Sequence, residues 1–218
     1  MLILQGCSRL CGTSQLCSQQ PSPSVRTFWR WLIPIFNSYR EKDIQELGGD
    51  LVAARWVLRN GGAIRWAGKT KYTKDYNSLP AGPSPNLVIE AIDGTGSSLA
   101  APGFKHLKHL RHLKMLKLVQ CEYVGNSCLR DLNSVHDTLE HLDIVSCADI
   151  SDAGILSLQN LTNLKTLFLY DLSSVEDREG AVTALRTALR QTKICFEPLD
   201  ANKSVNYAND RPPGFPKF

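Results

Sequence analysis

The sequence predicts an α/β fold in which short strands alternate with helices at a period of about 25 residues. The pattern Leu-x-x-Leu-x-Leu/Ile occurs three times, beginning at Leu113, Leu139 and Leu164, and successive copies are 26 and then 25 residues apart. Each copy places alternate side chains on one face of a strand, and a single unit cannot bury that face alone. Stacked units are therefore expected, in a short leucine-rich-repeat solenoid over residues 85–197.

Weaker copies at the two ends bring the array to four to five repeats. One is Leu87–Ile92, with Glu90 in place of the middle leucine, and the other lies around Lys193–Phe196. Cys121 and Cys147 follow the first and second complete strands. This placement resembles the cysteine-containing subtype of leucine-rich repeat, and it predicts that both thiols are small buried hydrophobes.

Residues 1–27 have the composition of a mitochondrial transit peptide. The first 40 residues contain four arginines and no acidic residue, and they are rich in serine and glutamine. They lack the uninterrupted apolar core of a secretory signal. The mature chain is expected to begin near Phe28, and a merely disordered N-terminus is the alternative.

Residues 28–84 are predicted to form a helical cap and a loop. Apolar residues recur at three- and four-residue steps over Tyr39–Arg59, and Gly61-Gly62 then stops the helix. Such a helix would cover the open end of the first repeat. The aromatic run Phe28–Phe36 either sits at a membrane interface or packs against this helix.

A histidine occurs at every third position in His106, His109 and His112, with lysines and an arginine between them. On an α-helix such residues would fan out by about 60° per step, and the neighbouring cations would disfavour a divalent ion. We therefore expect a solvated basic face on the convex side of the solenoid, with Leu107 and Leu110 pointing inward.

Several function classes are disfavoured by composition and motifs. No apolar run is long enough for a membrane-spanning helix, and the net charge of +4 is small and dispersed, which argues against nucleic acid as a partner. The sequence contains no phosphate-binding glycine loop and no nucleophile elbow, so an enzyme is not expected. A leucine-rich-repeat adaptor of ubiquitin ligases would need a docking module upstream, for which residues 28–59 leave little room. Residues 198–218 are expected to be a disordered tail.

The order of segments resembles the mitochondrial ATP synthase subunit s family, also called coupling factor B. The segments that carry the resemblance are Phe28-Trp-Arg-Trp-Leu, Trp56-Val-Leu-Arg-Asn-Gly61, Lys74-Asp-Tyr-Asn-Ser-Leu-Pro-Ala-Gly-Pro83, Ala91-Ile-Asp-Gly-Thr95 and Cys147-Ala-Asp-Ile-Ser-Asp-Ala-Gly-Ile155. The similarity runs from about Phe28 to Phe196. The assembly factor for the distal membrane arm of respiratory complex I is a close relative of this family.

The resemblance implies a non-catalytic protein that is peripheral to the matrix side of the inner mitochondrial membrane. Such a protein would associate with ATP synthase and limit proton leak. It also implies a Mg²⁺ ion held by Gly61 and Thr95. Asp93 either accepts hydrogen bonds from the water ligands of this ion or simply caps a turn. The family has a Cys-x-Cys pair where this chain has Val119-Gln-Cys121. A redox role that needs two neighbouring thiols is therefore not expected.

Overall fold

A computed structural model describes residues 31–197 and 214–216. The predicted transit peptide and most of the predicted tail lie outside these residues. Within the described residues, six strands form one sheet, and their order in the sheet is their order along the chain. The strands are β1 (Ala63–Trp66), β2 (Ile89–Asp93), β3 (Met115–Val119), β4 (His141–Val145), β5 (Thr166–Tyr170) and β6 (Lys193–Glu197).

The helices precede the sheet or connect its strands. They are α1 (Glu41–Leu47), α2 (Gly49–Arg59), α3 (Ala101–Phe104), α4 (Asn126–Asp131), α5 (Asp152–Ser157) and α6 (Arg178–Ala188). Residues 31–36 are also helical. Short 3₁₀ turns occupy Tyr76–Ser78, Lys105–His109, Leu132–Val135 and Leu158–Asn160. None of these helices is long and apolar enough to cross a membrane.

The pairing of the strands follows the sequence repeat. Strands β2 to β6 are parallel, and equivalent residues of neighbouring repeats lie opposite one another, as Leu142 does between Leu116 and Leu167. Leu142 and Ile144 are fully buried in a core that is continuous from the N-terminal helices to α6. The α/β class and the inward direction of these side chains are confirmed.

The predicted alignment of the first copy, Leu87–Ile92, with the later copies is wrong by two residues. Ile92 pairs with Leu116, so it is Ile92 that takes the position expected for Glu90. Glu90 instead forms an ion pair with Lys114 at 3.2 Å. A shift of two residues leaves the alternation of the faces unchanged, so the pattern alone cannot fix this register.

Each of three consecutive strands is followed by a residue with left-handed backbone. These residues are Gln120, Ser146 and Asp171, with φ between 50° and 53°. Their amides continue the ladder of hydrogen bonds between repeats: Gln120 donates to the carbonyl of Val145, and Ser146 to that of Tyr170. The recurrence of this uncommon conformation at one position marks the strand-to-turn junction as a repeated structural unit.

The helix predicted over Tyr39–Arg59 is two helices. Gly48 has φ of +89°, which breaks the chain between α1 and α2. A Cβ on the next residue, Gly49, would lie 2.4 Å from the Cβ of His109, so the glycine pair also permits close packing on the first repeat. The predicted stop is confirmed, since α2 ends at Arg59.

Candidate functional site

The two residues expected to hold Mg²⁺ lie at the same end of the sheet. β1 is antiparallel to β2, and Ala63 pairs with Asp93, so Gly61 and Thr95 both lie two residues beyond this last pair. Gly61 has φ of +85°, and both residues are exposed. The fold therefore brings together two residues that are 34 positions apart in the sequence.

The oxygen atoms at this end of the sheet suit only a weakly held ion. The Thr95 hydroxyl donates to Oδ1 of Asp93 at 2.5 Å, and the Thr95 amide donates to the same oxygen at 2.9 Å. The other carboxylate oxygen of Asp93 lies 3.2 Å from Nζ of Lys117. Because this lysine already neutralises the carboxylate, a divalent ion would keep most of its water. Among the described residues, no group of three or more His, Cys, Asp or Glu side chains could hold a metal ion.

The side of the sheet away from the helices, here called the helix-free face, corresponds to the concave face of the predicted solenoid. Because His141 and Asp143 alternate with Leu142 and Ile144 along the strand, the repeat pattern predicts that both point outward there and are accessible. Asp143 does point to this side, since it pairs with Phe168, but it is fully buried. His141 is half-buried and shares a hydrogen bond of 2.8 Å with the Thr166 hydroxyl. The predicted accessibility is therefore wrong for Asp143, and His141 is only partly accessible.

The thiols of the repeats are buried, as predicted for Cys121 and Cys147. The Cys121 thiol donates to the carbonyl of Gly94 at 2.9 Å. Cys128 is also fully buried, and burial raises its pKa to about 11. Contact with the Cys121 thiol and burial together raise the pKa of Cys147. Cys128 and Cys147 therefore remain protonated and poorly reactive at neutral pH. The hydrogen bond with the Cys147 thiol instead lowers the pKa of Cys121.

A buried asparagine anchors the N-terminal segment to the first repeat. The side chain of Asn37 accepts hydrogen bonds from Nε1 of Trp56 at 2.8 Å and from the amide of Ala100 at 2.9 Å. Its amide nitrogen lies 2.9 Å from the carbonyl of Ser98 and 3.0 Å from Oδ1 of Asn60. Sequence reasoning missed the role of Asn37. The only feature of the sequence that could have indicated it is the position of a single amide side chain directly after the apolar run that ends at Phe36.

The anchored segment leaves an apolar patch exposed, here called the N-terminal patch and made of Trp31, Ile35 and Phe36. Trp31 is 66% exposed and Ile35 is 51% exposed. Next to it lies a cavity of about 380 Å³ whose walls include Ile35, Phe36, Trp56, Asp43 and the three arginines Arg40, Arg55 and Arg59. The patch thus combines aromatic and aliphatic surface with an excess of positive charge.

The predicted solvated histidine face is wrong for His106, which is only 3% exposed. The segment Lys105–His109 is a 3₁₀ turn, and three residues per turn place His106 and His109 on one side. Both rings contact Tyr39, with centroid distances of 5.1 and 6.1 Å. The burial of Leu107 and Leu110 is confirmed.

Acidification is expected to destabilise the protein through His106. Burial lowers its pKa, the nearby His109 lowers it further, and the Ser38 carbonyl and Asp43 act in the opposite direction. In the unfolded chain His106 therefore takes up a proton near pH 6.5, whereas in the native chain it is still neutral at this pH. The free energy of unfolding consequently falls as the pH drops below about 6.5. Urea unfolding between pH 7.5 and about 5 should show a smaller decrease for His106→Asn than for the wild type. The exposed His112→Asn is the control, and an equal decrease in all three proteins would contradict the assignment.

Comparison with known proteins identifies the family. No family model matches the chain. The protein named ATP synthase subunit s, mitochondrial, of Homo sapiens is 38% identical over 188 residues, which cover 84% of this chain and 94% of the human protein. The protein of the same name from Bos taurus is 36% identical over 189 residues, covering 85% and 93% of the two chains.

A more distant relative has a different name. Distal membrane arm assembly component 2 of Drosophila melanogaster is 30% identical over 153 residues, but these cover only 54% of that protein. The relatives named subunit s, by contrast, align over nearly their whole length. This chain therefore belongs to the family of mitochondrial ATP synthase subunit s.

Proposed function

We propose that this chain is a non-catalytic mitochondrial protein that associates with ATP synthase and supports coupled proton conduction by limiting proton leak. The observation that carries the proposal is the 38% identity to human ATP synthase subunit s over 94% of that protein. Assembly of the membrane arm of complex I is the second candidate, and it is favoured by the weaker similarity to distal membrane arm assembly component 2.

Immunoprecipitation from detergent-solubilised mitochondria separates the two candidates. We expect ATP synthase subunits to co-purify with the chain, and depletion of the chain to raise the respiration rate that persists when ATP synthase is inhibited. Recovery of complex I intermediates without ATP synthase would overturn the proposal. A cytosolic location, or a mitochondrial protein that still begins at Met1, would remove the support from the proposed transit peptide.

The repeats are proposed to be leucine-rich repeats of the cysteine-containing type. Three features support this classification: the parallel strands in register, the left-handed residue after each of β3, β4 and β5, and the buried Cys121 and Cys147. In such an array, each repeat contacts chiefly its neighbours, and the ends need caps. The antiparallel β1 and helix α2 cover the N-terminal end.

A weakly held Mg²⁺ ion is proposed between the Gly61 carbonyl and the Thr95 hydroxyl. The ion would retain its remaining water ligands. Calorimetric titration with MgCl₂ should give a heat of binding for the wild type that is lost in Thr95→Val. Thr70→Val, at another exposed threonine, is the control. Equal heats from all three proteins would overturn this site.

The N-terminal patch is proposed to hold the protein on the matrix face of the inner membrane. Replacing Trp31 and Ile35 with serine should weaken binding to vesicles of phosphatidylcholine and phosphatidylglycerol by about tenfold or more, because each buried apolar side chain contributes about 1.5–3 kcal/mol. Sedimentation with vesicles measures this. Wild-type binding should also weaken with added salt, because arginines border the patch. Leu156→Ser, which changes an exposed leucine of α5, is the control, and equal binding of both variants would contradict the proposal.

A further inference from the structure

The helix-free face carries an apolar cluster that lies outside the main core. Four sheet residues form it: Val119, Val145, Phe168 and Tyr170. An outward sheet face that meets water is normally polar, so alternate residues of a strand differ in character. All five residues of β5 are buried. Leu167 and Leu169 lie in the main core, whereas Phe168 and Tyr170 belong to the cluster on the opposite side, which is the pattern of a strand covered on both faces.

The cover that the structure describes is a short piece of the C-terminal segment. Phe215 is 9% exposed and packs on this cluster, with its ring edge-on to Phe168 at a centroid distance of 5.8 Å. Nζ of Lys193 lies over the same ring, 5.1 Å from its centroid. The Phe215 ring therefore packs on apolar sheet residues and makes a cation–π contact with Lys193.

The backbone beside Phe215 is adapted to this position. Gly214 has φ of +90°, and a Cβ there would lie 2.7 Å from Nζ of Lys193. Pro216 follows and restricts the backbone conformation of Phe215 to extended forms. Gly214 thus supplies the left-handed backbone that this position needs. Pro216 limits the conformations that Phe215 would otherwise lose on binding, which reduces part of the entropic cost.

We propose that the apolar cluster of the helix-free face is a docking site for an extended Gly-Phe-Pro segment, and that the chain's own residues 214–216 occupy it in cis. Residues 214–216 are thereby an intramolecular ligand of the sheet. A partner that presents a similar aromatic segment would have to displace Phe215, so residues 214–216 control access to this face. The site and its occupant do not depend on which respiratory complex the protein binds.

Binding in trans tests the site directly. A fluorescein-labelled peptide of residues 209–218 is titrated into the full chain, and fluorescence anisotropy is measured. Phe215→Ala should bind this peptide, whereas the wild type should bind it at least about tenfold more weakly, because the cis segment competes at a high effective concentration. A peptide with alanine in place of Phe215 should not bind. Equal affinity of both proteins, or binding of both peptides, would overturn the proposal.

The thiol of Cys195 provides a second readout, because it packs on the same cluster. Pulse labelling with iodoacetamide, followed by mass mapping of the peptide that contains Cys195, should be at least about tenfold faster in Phe215→Ala than in the wild type. The 209–218 peptide should slow it again. Leu156→Ala should label as the wild type does. An unchanged labelling rate at Cys195 in Phe215→Ala would overturn the proposal. Simultaneous labelling of the buried Cys128 and Cys147 in this variant would overturn it as well, because Phe215 would then be part of the core rather than a detachable ligand.

Discussion

Leu142→Ala is expected to lower the free energy of unfolding by about 2 to 5 kcal/mol. Leu142 is fully buried in the central strand pair, between Leu116 and Leu167 of the neighbouring repeats. These neighbours are fixed by parallel strand pairing on both sides, so they cannot collapse into the cavity that the truncation leaves. A loss of this size is a large share of the total stability of a domain of this length.

Urea unfolding followed by circular dichroism measures the effect. Leu156→Ala is the matched control, because it makes the same chemical change at a leucine that is 41% exposed on α5. We expect the control to lie within about 0.5 kcal/mol of the wild type. A comparable loss of unfolding free energy in both variants would contradict the assignment of Leu142 to the core.

The sequence was most informative where structure is set by local periodicity. The spacing of Leu139, Leu142 and Ile144 predicted their burial, because strand alternation and repeat stacking depend only on nearby residues and on identical neighbours. The same reasoning misplaced the first copy by two residues, since that copy lies beside the antiparallel β1 and lacks the full pattern. Irregular end repeats are expected wherever a stack must be closed by a cap.

The errors in the candidate site arose from contacts between distant segments. Asp143 was expected on an open surface, and nothing in β4 indicates that this face is covered. Phe215 lies in a tail whose glycine and proline content is typical of disorder, yet it is buried on a strand some 45 residues earlier, at Phe168 to Tyr170. His106 was misjudged because an α-helix was assumed, and the 3₁₀ turn brings it against Tyr39.

The buried anchor of the N-terminal segment should be about as sensitive as the core. In Asn37→Leu, Nε1 of Trp56 and the amide of Ala100 lose their acceptor while remaining inside the protein. Each unpaired buried donor costs about 1–3 kcal/mol, so we expect a loss of about 2–6 kcal/mol in the free energy of unfolding. The larger leucine also has little room, since a Cβ on Gly103 would already lie 2.8 Å from Oδ1 of Asn37.

The control for this anchor is Ser38→Ala, which changes the adjacent exposed side chain and should stay within about 0.5 kcal/mol of the wild type. Two measurements are compared, urea unfolding and sedimentation with anionic vesicles. Because Asn37 follows directly after the N-terminal patch, its loss should release the patch from the first repeat and weaken vesicle binding under conditions where the repeats are still folded. Unchanged stability in Asn37→Leu would show that water or a rearranged side chain satisfies the two donors. Unchanged vesicle binding with reduced stability would show instead that the patch acts without a fixed position on the sheet. Its exposed tryptophan and isoleucine, and not their attachment, would then determine binding to the membrane.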